Sequence, residues 1–225
     1  MQRGAFQYPM RALVVLGLCL AAVLGLSLGR GWSRLAFRRP ALGFVRGLLA
    51  AGTISLAPML PAVAATFTAR DSSGITFVYP DDALGLEVSP KLVQTHAAEV
   101  FLKSTKVKGL SVGVTVDPVK ISNIREFATP QGLAERVVQV EKSKEGVFEA
   151  NVISASESQV PVSQSTPAYE IEYNIDSSRG KNHYLVKTTV IQSRLYVFTA
   201  QCKEEAFPLL KKDLSEIVDS FRVKM

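Results

Sequence analysis

Thiol and imidazole side chains are few in this 225-residue chain: Cys19, His96, His183 and Cys202. His183 has the richest setting. It ends the run Arg179-Gly180-Lys181-Asn182-His183, which lies between two β-prone segments. The residues allow two readings. His183 is either an ordinary histidine at the start of a strand, or a docking or metal-ligating residue beside Arg179 and Lys181, imidazole being the commonest metal ligand. His96 follows Gln94-Thr95 in a polar stretch and receives no role. Cys202 has no thiol near it in sequence and reads as a small strand residue. Asp81-Asp82, directly after Pro80, reads as a turn rather than a ligand pair.

The remaining chemistry is sparse. The chain has no HExxH helix, no CxxC pair and no phosphate-binding glycine loop. A zinc site built from Cys and His needs more ligands than these. The 20 acidic residues show no pairing that spacing alone reveals. A calcium or manganese site needs only carboxylates and carbonyls, so it stays open. The chain is expected to be non-enzymatic, with no required cofactor.

Several elements could position these groups. Ile75–Tyr79 is apolar and β-prone, and Pro80-Asp81-Asp82 closes it. Leu110, Val112, Val114 and Val116 alternate with Ser111, Gly113 and Thr115, the pattern of a half-buried strand ended by Asp117-Pro118. Thr129-Pro130 predicts a helix start, with a hydroxyl at the N-cap and proline at the first helical position. Leu133, Val137 and Val140 share a face of that helix. Asn151–Glu157 predicts a short strand. Tyr169, Ile171, Tyr173 and Ile175 lie on one face of a strand over Ala168–Ile175. Tyr184–Ile191 and Leu195–Gln201 form a hairpin around Gln192-Ser193-Arg194. Phe207, Leu210, Leu214, Ile217, Val218 and Phe221 make a continuous helical stripe, with Lys211, Lys212, Asp213, Glu216 and Asp219 on the wet face. Val223 adds a short tail. Residues 66–73 read as polar and loose. The sum is an α+β domain with a mainly antiparallel sheet and helices packed on it.

Charge placement separates the N-terminus from this domain. The net charge of +6 comes from the first 65 residues, which hold seven arginines and no Asp, Glu or Lys. Beyond them the balance is slightly acidic, so it lends no support to nucleic-acid binding. Ala12–Leu28 is 17 residues without a charge. A second apolar stretch follows Arg38-Arg39 and ends at Pro61-Ala62-Val63-Ala64-Ala65, small residues that suit a signal peptidase. Residues 1–65 are therefore expected to be a presequence with two transfer signals in series, and residues 66–225 one domain.

The ordered blocks of that domain resemble the PsbP family of photosystem II extrinsic proteins. Gly74-Ile75-Thr76-Phe77-Val78-Tyr79-Pro80 is similar to the family's opening strand, and Leu110–Pro118 to its central strand. Ile121 to Val137 resembles its helix start. Gly180-Lys181-Asn182-His183-Tyr184-Leu185-Val186 resembles its Gly-Lys-His strand start, and Leu195–Gln201 its Leu-Tyr…Ala-Gln strand. The resemblance implies an α/β/α sandwich and a monomer in the chloroplast thylakoid lumen. It further implies a protein peripheral to the membrane that binds photosystem subunits and helps retain calcium at the oxygen-evolving complex. It makes Asp176 and His183 the candidate calcium or manganese ligands, and Arg179, Lys181 and His183 the candidate docking residues. The family's Trp after the opening strand is replaced by Asp81-Asp82, and only nine residues separate Ala64 from Gly74. These departures point to an accessory PsbP-domain or PsbP-like relative rather than the core subunit. Such relatives are associated with assembly or repair of photosystems or of the NADH dehydrogenase-like complex.

Overall fold

The computed structural model describes residues 64–68, 74–89, 96–161 and 165–224. Ten strands, three α-helices and two short 3-10 helices (Ile124–Glu126 and Glu204–Ala206) lie within them. In chain order these are β1 (Ala64–Thr68), β2 (Ile75–Pro80), α1 (Asp81–Leu84), β3 (Leu86–Val88), β4 (Ala98–Ser104) and β5 (Ser111–Pro118). Helix α2 (Pro130–Lys142) is followed by β6 (Val147–Val160), β7 (Thr166–Ser177), β8 (Asn182–Ile191), β9 (Arg194–Lys203), α3 (Phe207–Asp219) and β10 (Arg222–Val223). The expected presequence lies outside the described residues apart from Ala64 and Ala65, which open β1.

Seven strands form one sheet in the order β3-β4-β5-β9-β8-β7-β6, and β1-β2-β10 form a second, smaller one. Each neighbouring pair in the large sheet is antiparallel. The expected hairpin joins β8 to β9 through Gln192 and Ser193, both at positive φ (50° and 56°). This left-handed pair is the two-residue turn whose twist suits a hairpin.

Alternation along the strands divides the interior into two cores. On one face Tyr196, Phe198, Ala200 and Cys202 of β9 join Val112, Val114 and Val116 of β5. Phe207, Leu214, Ile217 and Val218 of α3 and Ile75 and Phe77 of β2 close over them. On the other face Leu195 and Val197 join Tyr169, Ile171, Tyr173 and Ile175 of β7, under Leu133, Ala134, Val137 and Val138 of α2. The architecture is therefore α+β, a sandwich with helices on both faces of the sheet. Thr129 caps α2 as its sequence predicts, its hydroxyl accepting from the Gly132 N–H at 3.1 Å. The Tyr169 hydroxyl donates to the Ala128 carbonyl at 2.8 Å and pins the same end to the sheet.

Four local readings change. Thr66–Thr68 are not loose; they lie in β1, where Phe67 stacks on Phe77 at 4.9 Å. The strand expected at Asn151–Glu157 runs for 14 residues, and register shifts at Val147/Glu149 and Val152/Ser154 break its alternation. Strand β4, with its mixed sequence Ala-Glu-Val-Phe-Leu-Lys-Ser, carries no period-2 signal and was not anticipated. Val140 is only half-buried, and Glu141 takes the buried position in the last turn of α2.

Candidate functional site

His183 enters β8 directly opposite Cys202 of β9 and Asn174 of β7. The strand pleat turns it toward α3, and it is 3% exposed. Its Nε2 lies 3.0 Å from Glu172 Oε1 and its Nδ1 3.1 Å from Glu204 Oε2. Phe207, at the first turn of α3, stacks on the ring. Lys211, one turn further along, sits over the Phe207 ring with its ammonium 5.6 Å from the centroid, and reaches to 4.0 Å from Glu172. Strand β7, the segment between β9 and α3, and α3 itself thus converge on one imidazole of β8.

The seam of charge continues along the same face. Lys187 follows His183 by two inward positions on β8 and is 4% exposed. Its ammonium lies 2.8 Å from Glu170 and 3.6 Å from Asp219 at the end of α3. A buried cation on a central strand is tolerated only with such counter-charges. Beside it, a cleft of about 150 Å³ opens between α3 and β6–β7, lined by Ser154, Ser156, Glu170, Glu172, Ser215 and Asp219 among others. Helix α3 packs on β2, β8 and β9, while α2 packs on β6 and β7 from the opposite face.

The expected site residues separate. Arg179 and Lys181 stand exposed on the β7–β8 turn. Lys203 braces that turn by donating from Nζ to the Arg179 carbonyl at 2.8 Å. Asp176 faces Lys181 at 3.3 Å, not His183. His183 is inside, so the three docking candidates reduce to two at the surface. Asp176 and His183 do not form a ligand pair, because the register sets Asn174, not Asp176, opposite the histidine. Among the described residues no group of three or more His, Cys, Asp or Glu side chains is placed to hold a metal ion.

Two further features bear on the expectation of a non-enzymatic chain. His96, in the irregular segment just before β4, is buried, its Nδ1 2.6 Å from Asp117 Oδ2. Gly109-Leu110-Ser111-Val112-Gly113 spells the Gly-x-Ser-x-Gly string of a hydrolase elbow. The context differs: Ser111 lies inside a strand, paired with Lys103 and Gln201, rather than on a strand-to-helix turn. Asp117 is six residues along the same strand, roughly 20 Å away at the rise of an extended chain. Ser111, His96 and Asp117 therefore assemble no triad. Cys202 is buried, and burial pushes its thiol up to about 12, with Glu204 adding to the shift. That thiol is not an activated nucleophile.

Known proteins share this fold and sequence. The solution structure of cyanobacterial PsbP from Synechocystis sp. PCC 6803 superposes with a TM-score of 0.58 at 16% identity, covering 75% of this chain and 97% of that one. PsbP domain-containing protein 2, chloroplastic, of Arabidopsis thaliana is 40% identical over 88 residues, 39% of this chain and 37% of the relative. PsbP-like protein 1, chloroplastic, of the same plant is 26% identical over 113 residues, 50% of this chain and 47% of the relative. The matched stretches thus span less than half the length of either curated relative. Residues 66–223 match the PsbP family. With a match that runs from β1 to β10, on a fold held in common with cyanobacterial PsbP, this chain belongs to the PsbP family.

Proposed function

We propose that this protein is an extrinsic component of the chloroplast thylakoid lumen that docks on the lumenal face of a photosystem, as an accessory member of its family. The observation that carries this reading is the family match over residues 66–223. Both curated relatives are named as chloroplastic. The acid-free, arginine-bearing first 65 residues support import. Arg179 and Lys181, exposed on a braced turn, are the docking residues, and association with the membrane is peripheral. Calcium or manganese binding is a weaker reading, since Asp176 is occupied by Lys181 and His183 is enclosed by Glu172, Glu204 and Phe207.

Fractionation of thylakoids tests the proposal. The protein should co-migrate with a photosystem on native gels and be released by a salt wash. The double substitution Arg179→Glu with Lys181→Glu should leave folding intact and shift the protein to the unbound fraction. Recovery of the wild type only outside the thylakoid, or only as free protein, overturns the reading.

A further inference from the structure

Glu141 stands apart from the site just described. It lies in the last turn of α2 and is 1% exposed, turned into the core between that helix and the sheet. One oxygen, Oε1, receives the Lys144 ammonium at 2.6 Å. The other, Oε2, is buried and meets no hydrogen-bond partner among the described residues. The titratable groups that face it from the sheet are the phenols of Tyr173 on β7 and Tyr184 on β8. Those two rings stack at 4.7 Å and 7°, and the Tyr173 hydroxyl is also buried with no hydrogen-bond partner among the described residues. From β6 the same core receives apolar Val147, Ala150 and Val152. A buried carboxylate with one bare oxygen is a costly arrangement. Burial accordingly holds the Glu141 carboxyl above its ordinary value, with Lys144 opposing the shift.

Lys144 has somewhere to go. Its side chain is 21% exposed, and it belongs to the loop between α2 and β6. Two residues later, the Gly146 carbonyl accepts from the Ser178 N–H at 2.8 Å. That bond joins the loop to the turn bearing Arg179 and Lys181.

We propose that Glu141 and Lys144 form a proton-operated release. A proton from solvent binds Oε2 of Glu141, the buried charge disappears, and the attraction holding the ammonium at 2.6 Å is lost. Lys144 then turns outward and adds a free cation beside the Arg179–Lys181 turn. In mild acid this end of the sheet becomes more basic; as pH rises the lysine is drawn back under α2. The release follows from the geometry of α2 and the sheet, and it stands whether or not the partner is a photosystem.

The test is an NMR titration of the full-length protein, labelled with ¹³C at the glutamate carboxyl carbons and ¹⁵N at lysine Nζ. Glu141 should titrate above the free glutamate value of about 4.3, and the Lys144 signal should step at the same midpoint. Glu141→Gln should abolish the lysine step. Lys144→Met should move the Glu141 midpoint further up, because the opposing charge is gone. The proposal is overturned if Glu141 titrates at or below the free value, or if Lys144 shows no step in the wild type. Both of those readings are made on the wild type, so they stand even if a variant folds poorly.

Discussion

The imidazole of His183 lies flat on the ring of Phe207, with 3.4 Å between ring centroids and 12° between planes. The contact ties the start of β8 to the first turn of α3. Glu172 and Glu204 hold the imidazole from either side. Removing Phe207 opens the helix end, and removing His183 strips Glu204 of its imidazole and leaves Glu172 with only Lys211 at 4.0 Å. Phe207→Ala should cost about 3–5 kcal/mol, in the range of buried aromatic truncations, and His183→Ala about 1–3 kcal/mol. Urea unfolding should show both losses, the phenylalanine variant the larger; unchanged midpoints would remove the contact from the account of stability.

Lys187 and Glu170 predict an asymmetry. The lysine side chain is 5% exposed, whereas its partners Glu170 and Asp219 are 35% and 66% exposed. Lys187→Met replaces a buried cation with an apolar chain of similar length and leaves carboxylates that water can reach. Glu170→Gln leaves the buried ammonium with only Asp219, at the longer distance, as a counter-charge. The glutamate variant should therefore be the less stable of the two, by about 1 kcal/mol or more. Equal unfolding midpoints would show that the ammonium has other means of compensation.

Gly74 cannot carry a side chain. Its φ is +68°, and an added Cβ would stand 1.9 Å from the Lys224 carbonyl oxygen. The same backbone meets Lys224 through the Lys224 N–H donating to the Gly74 carbonyl at 2.8 Å. Gly74→Ala must push β2 and the C-terminus apart. A loss of about 2 kcal/mol or more is expected from strain and broken pairing. Amide exchange should rise first at Ile75 and Val223, the paired residues of β2 and β10. Protection at those amides equal to wild type would contradict this.

Cys202 should be inert in the folded protein. It is fully buried, and its thiol is shifted up to about 12. Alkylation by iodoacetamide at pH 8 should be negligible natively and rapid in denaturant. Labelling of the native protein at the rate of a free thiol would mean that β9 opens readily.

Glu141 gives the domain a pH dependence of definite sign. Its carboxyl is raised by burial in the folded state, so the folded protein binds this proton more tightly than the unfolded chain. Stability from this group is greatest in acid and falls as pH rises from the ordinary glutamate value through the raised one. Glu141→Gln keeps the shape and removes the titration. Relative to wild type, the variant should gain stability at pH 8 and gain less near pH 5. A stability difference independent of pH would mean that Glu141 does not titrate across that interval.

Much of the fold was legible wherever one face of an element meets core and the other meets water. The alternation of Leu110–Val116 and Tyr169–Ile175, the stripe from Phe207 to Phe221 and the Thr129-Pro130 helix start all report such faces, because burial selects residue type at a fixed period. β4 leaves no periodic signal because its order of residues does not alternate, and the pattern of β6 shows only part of the strand because register shifts break its period. The candidate site was readable only in part. Its sequence neighbours, Arg179 and Lys181, are exposed on the β7–β8 turn. The partners of His183, however, come from 11 residues before it and 21 after it, and Asp176 was diverted to Lys181 by the register of β7 against β8. The chain by itself determined which faces would be buried and which family it would resemble. Only the tertiary structure decided that His183 points inward and Glu141 lies beneath a helix. Those outcomes depend on which distant strand and helix arrive alongside, and local periodicity carries no record of that.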